Sequence, residues 1–247
     1  MIPFEDPTTL SLLYHLNSEP WLNTQAYNDS PYEVEYRTIG PPGSAQALPP
    51  PTESPLQQLI RDRHSCRRYE KRHMRIETLS TLLFAAYSVT RKMQLEDETN
   101  YLCRSIPSAG GLYPLEVYVS LQRVEGAADG LHHYNVLNHG LEPVQIGGAF
   151  EQLRSVMLAF PFIQDANVLF FLVGVFARTQ RKYGPRGYRF ILLEAGHSAQ
   201  NICLAATQTG LASLCIGGYL DSKLNRILQL DPVEEGVVYA VAAGYAA

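Results

Sequence analysis

The chain has 247 residues, 46% of them hydrophobic, and a net charge of −4, a composition that suits a globular protein of one large domain or two small ones. That balance argues against a nucleic-acid binder or an anionic-membrane binder, because phosphate-driven affinity needs a positive field across a whole face. The positive charge is local instead: residues 61–75 and 178–189 hold twelve of the twenty Lys and Arg side chains, so two cationic clusters could converge on one anion.

In chain order, the start "MIPFEDPTT" is acidic and broken by proline, and it lacks the basic start and apolar core of a signal peptide. Residues 1–39 show one short helical pattern, "TLSLLYHLNSEPW". Residues 40–55 carry six prolines and two glycines, which favours an extended surface crossing over regular structure. Residues 1–54 therefore read as an arm with a proline-rich linker, and 55–247 as the compact domain. Ser54 followed by Pro55 has the form of an N-cap and first helical position. A helix over about 76–90 follows, then the loop "SIPSAGGLYP", then an alternating strand "EVYVSLQ" that places Val117, Val119 and Leu121 on one face. The turn Asn138-His139-Gly140 suits a hairpin. Helices are expected at 148–158, 187–209 and 221–229, with strands at 168–177, at "LASLCIGG" and at "GVVYAVAAG". The pattern is an α+β sheet with helices packed against it, and no internal repeat is visible.

The longest apolar run, 166–177, is too short to span a bilayer, which takes roughly twenty residues as a helix. Cys66, Cys103, Cys203 and Cys215 show neither a C-x-x-C spacing nor a partner His motif, against structural zinc and against a disulfide framework. A reducing, cytoplasmic setting fits. The common nucleotide-loop, zinc-protease and serine-hydrolase signatures are all missing. His132 and His133 would point to opposite faces of a strand, and His197 in an apolar helix reads as a core histidine.

Four segments could carry chemistry. In "RDRHSCRRY", Arg63, Ser65 and Arg67 project to one side if the chain is extended there, a good phosphate clamp because Arg forks match phosphate oxygens bidentately; a solvated basic loop is the plainer alternative. In "PSAGGLYP", the small residues Ser108 to Gly111 allow close backbone approach to a flat ligand, or simply a tight turn. In "LCIGGY", a strand running into Gly217-Gly218 can present backbone amides to an oxyanion or ring nitrogen, or simply end in a turn. Finally "RTQRKYGPRGYR", 178–189, packs five cations and no acid into twelve residues. Read as a loop after an apolar strand, it puts Lys182 and Tyr183 at a cavity mouth, where desolvation and neighbouring cations would favour a neutral amine able to act as a base; a surface lysine on a mobile loop is the plainer alternative.

Taken together and in this order, these segments resemble the nitroreductase-like flavoprotein family, and within it the SagB/ThcOx-type dehydrogenases, over roughly residues 55–244. "RHSCRRY" is similar to that family's phosphate segment, "PSAGGLYPLEVY" to its loop and strand, and "LEAGHSAQNICLAATQTGLASLCIGGY" to its central helix and Gly-Gly segment. The run "KYGPRGYRFILLEAG" resembles the dehydrogenases of microcin-type azole synthetases. The resemblance implies a sandwich of a mostly antiparallel sheet with helices, dimeric, with FMN at the subunit interface. It places Arg63, His64, Ser65 and Arg67 at the phosphate, Pro107, Ser108, Ala109 and Gly110 at the flavin ring, and the backbone of Gly217 and Gly218 at the reactive ring nitrogen. Lys182 and Tyr183 take the place of the catalytic pair, with no metal. The activity it implies is oxidation of thiazoline or oxazoline rings in a ribosomally made peptide to thiazole or oxazole, with a cyclodehydratase as a partner. An NAD(P)H-dependent nitro or quinone reductase and a non-catalytic scaffold of a cyclodehydratase complex are the alternatives. Many relatives end in basic residues that also touch the phosphate, whereas this sequence ends "AAGYAA"; that leaves the early segment, and either Arg104 or the 178–189 cluster, to complete the phosphate site.

Overall fold

The strand Val168–Val175 organises the molecule, because every residue but its last is buried. The computed structural model describes residues 9–19, 36–37, 39–41, 43–94 and 100–247. In chain order they form α1 (Thr9–Asn17), α2 (Pro55–Asp62), β1 (Met74–Arg75), α3 (Ile76–Tyr87), β2 (Val89–Gln94), β3 (Asn100–Arg104), β4 (Leu115–Leu121), β5 (Val124–Glu125), β6 (Gly130–Asn135), β7 (Gly140–Ile146), α4 (Ala149–Leu153), α5 (Phe160–Ile163), β8 (Val168–Val175), α6 (Phe176–Tyr183), α7 (Arg186–Gln208), β9 (Ala212–Ile216), α8 (Asp221–Leu228) and β10 (Glu235–Gly244).

Six strands make one sheet in the order β7-β6-β4-β8-β10-β9, with every neighbouring pair antiparallel. Side chains alternate across β8. Val168, Phe170 and Leu172 join Val117, Val119 and Leu121 of β4 against α3 and α7. Leu169, Phe171 and Val173 join Leu214 and Ile216 of β9 against α4, α5 and α8. A helical layer therefore covers each face, which is why β8 carries no polar alternation; each fully buried side chain of this size contributes about 1.5–3 kcal/mol. Among the described residues no helix is long and apolar enough to cross a membrane.

Several expectations hold. Ser54 caps α2, its hydroxyl accepting from the Gln57 N–H, with Pro55 in the first turn. β6 and β7 form the hairpin, His139 taking a positive φ of 53° at its turn. α1 lies where the short helical pattern predicts, although Pro20 and Trp21 of that pattern fall outside the described residues. It is fastened to the body: buried His15 shares a 3.0 Å hydrogen bond with the Tyr188 hydroxyl, and Gln180 donates to Ser11.

Others need correction. The helix expected at 148–158 ends at Leu153, because the backbone around Met157 pairs with Tyr219: Leu158 N–H donates to the Gly218 carbonyl and Leu220 N–H to that of Val156. His197 is exposed rather than in the core, since it lies on the α7 face turned away from the sheet. The cationic run 178–189 is not a loop. Strand β8 stops at Val175, α6 begins at once and buries Phe176 and Thr179, and a two-residue corner leads into α7.

That corner depends on close backbone approach. A methyl group added at Gly187 would lie 2.8 Å from Gln180 N and 2.9 Å from the Gln180 Cα, nearer than carbon packs against backbone. We expect Gly187→Ala to destabilise the protein by about 1–3 kcal/mol, the usual effect of overpacking, read as a lower urea midpoint at unchanged slope. An unaltered midpoint would show that the helix corner tolerates separation.

Candidate active site

The loop between β3 and β4 is built around Ser108. Its hydroxyl donates to Glu194 Oε2 at 2.5 Å and accepts from the Tyr113 N–H at 2.9 Å, while its carbonyl accepts from Gly111 N–H. One turn of 3-10 helix, Ala109–Gly111, follows, with Gly110 at φ 61°. That left-handed conformation favours glycine, and so does the space: a methyl on Gly110 would stand 2.5 Å from the Tyr183 hydroxyl oxygen and 2.9 Å from Lys182 Nζ. The last turn of α6 thus sets both side chains directly against the loop. Arg178, one turn earlier on α6, donates to the Tyr113 carbonyl at 3.2 Å and pairs with Glu116 at the start of β4, fastening helix to loop. Tyr183 is held edge-on by Phe190, ring centroids 5.0 Å apart, and Lys182 Nζ lies 5.4 Å from the Tyr183 ring centre.

Beneath the loop, Glu194 of α7 is a residue that sequence reasoning passed over. It is 2% exposed and accepts from Tyr87 on Oε1 at 2.7 Å and from Ser108 on Oε2. Burial raises its carboxyl above the usual range, opposed by those two donors and by the charge of Arg104. The Tyr87 hydroxyl in turn accepts from the Leu115 N–H at 3.1 Å. A lone acid among the apolar residues of "FILLEAGHSA" was the available signal, since a fully buried carboxylate demands partners. Arg104 belongs to this group: its guanidinium lies over the rings of Tyr87 and Tyr113, and its Nε and Nη1 are buried without a hydrogen-bond partner among the described residues.

The second group lies along β9. Arg63 is the C-cap of α2 and has extended backbone. The chain beyond it runs parallel to β9, with Ser65 bridged to Ser213 and Cys66 N–H donating to the Ser213 carbonyl at 2.9 Å. Arg63, Ser65 and Arg67 occupy alternate positions in this segment, as expected. Arg63 is half-buried, Ser65 and Arg67 are exposed, and none of the ion pairs among the described residues involves either arginine. His64 is exposed and its Nδ1 meets the Asp62 carbonyl. Arg63 lies close enough to Cys215 to favour its thiolate, which brings it to the strand that leads to Gly217 and Gly218. Open space surrounds Gly217, whereas Gly218 packs on Leu158.

Direct contact joins Ser108–Gly110 with Lys182–Tyr183, and the Arg63–Arg67 segment with β9 at Ser213, on the strand that leads to Gly217 and Gly218. Helix α7 passes beneath both. The desolvation expected at Lys182 is not supplied by this chain, because its side chain is exposed. Among the described residues no cluster of His, Cys, Asp or Glu could hold a metal ion.

A donor row whose arginines have no acid partner among the described residues, on the segment paired with the strand that leads to Gly217, suits a phosphate-bearing ligand, and known proteins have the same fold. A protein of Methanocaldococcus jannaschii named as a nitroreductase is 34% identical over 183 residues, 74% of this chain and 88% of its own length. The microcin B17-processing protein McbC of Escherichia coli is 31% identical over 172 residues, 66% of this chain but only 59% of its own length. Among solved structures, a chain of the E. coli microcin synthetase McbBCD complex with truncated pro-MccB17 bound superposes with a TM-score of 0.73 at 22% identity, covering 98% of this chain and 93% of that one. A nitroreductase-type structure in complex with FMN from Desulfovibrio desulfuricans gives 0.54 at 20% identity, covering 79% and 88%. The family model for nitroreductases matches residues 60–245, and the chain belongs to the nitroreductase family.

Proposed function

We propose that the chain is an FMN-dependent dehydrogenase that oxidises thiazoline or oxazoline rings of a ribosomally made peptide to the aromatic azoles. The observation that carries this reading is the contact of Lys182 Nζ and the Tyr183 hydroxyl with Gly110, which sets a base and a second proton-handling group against the loop that resembles the flavin-ring segment. The relative named as processing microcin B17 supports a peptide substrate, and the synthetase complex with its bound propeptide supports partner subunits such as a cyclodehydratase.

Arg63, Ser65 and Arg67 would hold the phosphate, and Pro107 to Gly110 with the backbone of Gly217 and Gly218 would frame the ring. When bound, FMN supplies a hydride acceptor. Aromatising an azoline removes a hydride from one ring carbon and a proton from the adjacent one. Lys182 takes that proton at Nζ, which requires the neutral amine. Tyr183, fixed by Phe190, orients the ring or passes the proton on. Glu194 holds Ser108 in register, so that the loop keeps its shape when the peptide enters. Because the two groups of site residues are joined separately within one chain, we read the complete site as formed between two copies.

The specific alternative is an NAD(P)H-dependent nitro or quinone reductase, favoured by the name of the Methanocaldococcus relative. Anaerobic mixing with NADH or NADPH distinguishes them: slow or absent bleaching of the flavin is expected here, and rapid bleaching supports the reductase. A purified protein that stays colourless in excess FMN supports the scaffold reading.

Lys182→Ala should keep its flavin absorbance while azoline oxidation falls roughly 10²- to 10⁴-fold, the usual contribution of a positioned base. Turnover near that of the parent protein removes the lysine from the mechanism. Arg63→Ala should weaken FMN binding by about 1.5–3 kcal/mol, the worth of one charge-assisted hydrogen bond, or roughly 10- to 150-fold in Kd, measured by quenching of flavin fluorescence. Unchanged affinity would mean that the donor row does not hold the phosphate.

A further inference from the structure

Cys203, on the sheet-facing side of α7, and Cys215, on β9, bring their sulfurs to 3.6 Å of each other, and both are free thiols. Cys203 is 3% exposed and fits the ordinary role of a small buried apolar residue. Cys215 does not, because it is exposed to solvent. Packing alone gives no reason for a reactive group at that position, still less for one in sulfur contact with a second thiol.

The surroundings separate the two thiols. Cys215 is shifted down to about 6: the Cys203 thiol hydrogen-bonds to it, partial burial works the other way, and the Tyr239 hydroxyl of β10 and the charge of Arg63 add to the lowering. Cys203 moves up, being the donor in that bond and buried. One sulfur is therefore an accessible nucleophile near neutral pH and the other is its protonated, sheltered neighbour, the division found between an attacking and a resolving cysteine. Cys66, in the segment that pairs with β9 at Ser213, is occupied elsewhere and donates to the Arg68 carbonyl at 3.0 Å. Cys103 lies on β3, its thiol against the Met93 sulfur. No metal-holding group includes the pair among the described residues, which leaves thiol redox chemistry.

We infer that Cys203 and Cys215 form a thiol–disulfide redox site whose oxidant is hydrogen peroxide. The Cys215 sulfur attacks one peroxide oxygen, the O–O bond breaks, and the departing hydroxide is protonated to water, leaving Cys215 as a sulfenic acid. The Cys203 sulfur then attacks the Cys215 sulfur, the S–O bond breaks, and the proton lost by Cys203 leaves with that hydroxide as a second water. Two thiols are oxidised by two electrons and one peroxide is reduced to two waters. Closing 3.6 Å to the roughly 2.05 Å of a disulfide asks a displacement of about 1.5 Å shared between two side chains. The bond would strap α7 to β9 beside Ser213, where the Arg63–Arg67 segment is hydrogen-bonded to the strand. The site stands on the sulfur geometry and does not depend on the proposed reaction.

The test uses the full chain, reduced and then freed of reductant. Native protein is treated with a small molar excess of hydrogen peroxide, remaining thiols are alkylated, and peptides are mapped by mass spectrometry. A single intramolecular Cys203–Cys215 bridge, reversed by dithiothreitol, with Cys66 and Cys103 alkylated, is the expected result. Cys203→Ala should stop at a Cys215 sulfenic acid trapped by dimedone. In the untreated protein, Cys215 should alkylate at pH 7 roughly tenfold faster than Cys66, as expected for a thiol with a lowered pKa. Full alkylation of both cysteines after peroxide treatment, a bridge between other cysteines, or a Cys215–Cys215 link between copies would each overturn the inference.

Discussion

The two-sided burial of β8 is the constraint on which the rest of the molecule depends. A strand with apolar side chains on both faces, Leu169, Phe171 and Val173 on one and Val168, Phe170 and Leu172 on the other, is stable only between two helical layers. One layer is built mainly from the long helix α7, and that choice positions the site. The same helix carries Glu194 beneath the Ser108 loop and Cys203 beneath β9, nine residues apart, about 14 Å at the rise of an α-helix. The end of β8 leads straight into α6, so a strand buried for stability also delivers Lys182 and Tyr183.

Electrostatically the two groups of site residues are built in opposite ways. Under the Ser108 loop Tyr87 and Ser108 both donate to buried Glu194, while Arg104 lies over the neighbouring rings with two of its nitrogens lacking a hydrogen-bond partner among the described residues. Buried networks of this kind hold one geometry, because any loosening strands a desolvated carboxylate. Along β9, Arg63 and Arg67 have no acid partner among the described residues. Unpaired cations at a strand edge gain little from their own chain and most from an incoming anion.

Much of this was legible from periodicity and turn chemistry. The period of two in "EVYVSLQ" placed Val117, Val119 and Leu121 on one face, and Ser54-Pro55 marked the start of α2, because both are local properties of the chain. Three readings went wrong where distant contacts decide. The stretch 148–158 has helical periodicity, yet its middle is claimed by hydrogen bonds to residues 218–220. His197 sits among apolar residues but on the side of α7 that the sheet does not cover. The cations of 178–189 suggested a loop, since five like charges seem ill suited to regular structure. Arg178 is in fact paired with Glu116, sixty-two positions earlier in the chain, and that partner could not be seen from the segment itself. The antiparallel pairing of β2 with β3 had no signal in the sequence pattern either.

From its residues alone this chain determined its α+β class, the order of its principal elements and the segments in which chemistry could lie, because helix and strand periods, caps and short motifs are written within a few consecutive residues. Which of those segments meet was decided only by tertiary structure. Lys182 and Tyr183 reach Gly110, Glu194 supports Ser108, and Cys203 touches Cys215 because a sheet buried on both faces forces α7 and the α6 corner into one position, and no local pattern encodes the approach of elements dozens of residues apart.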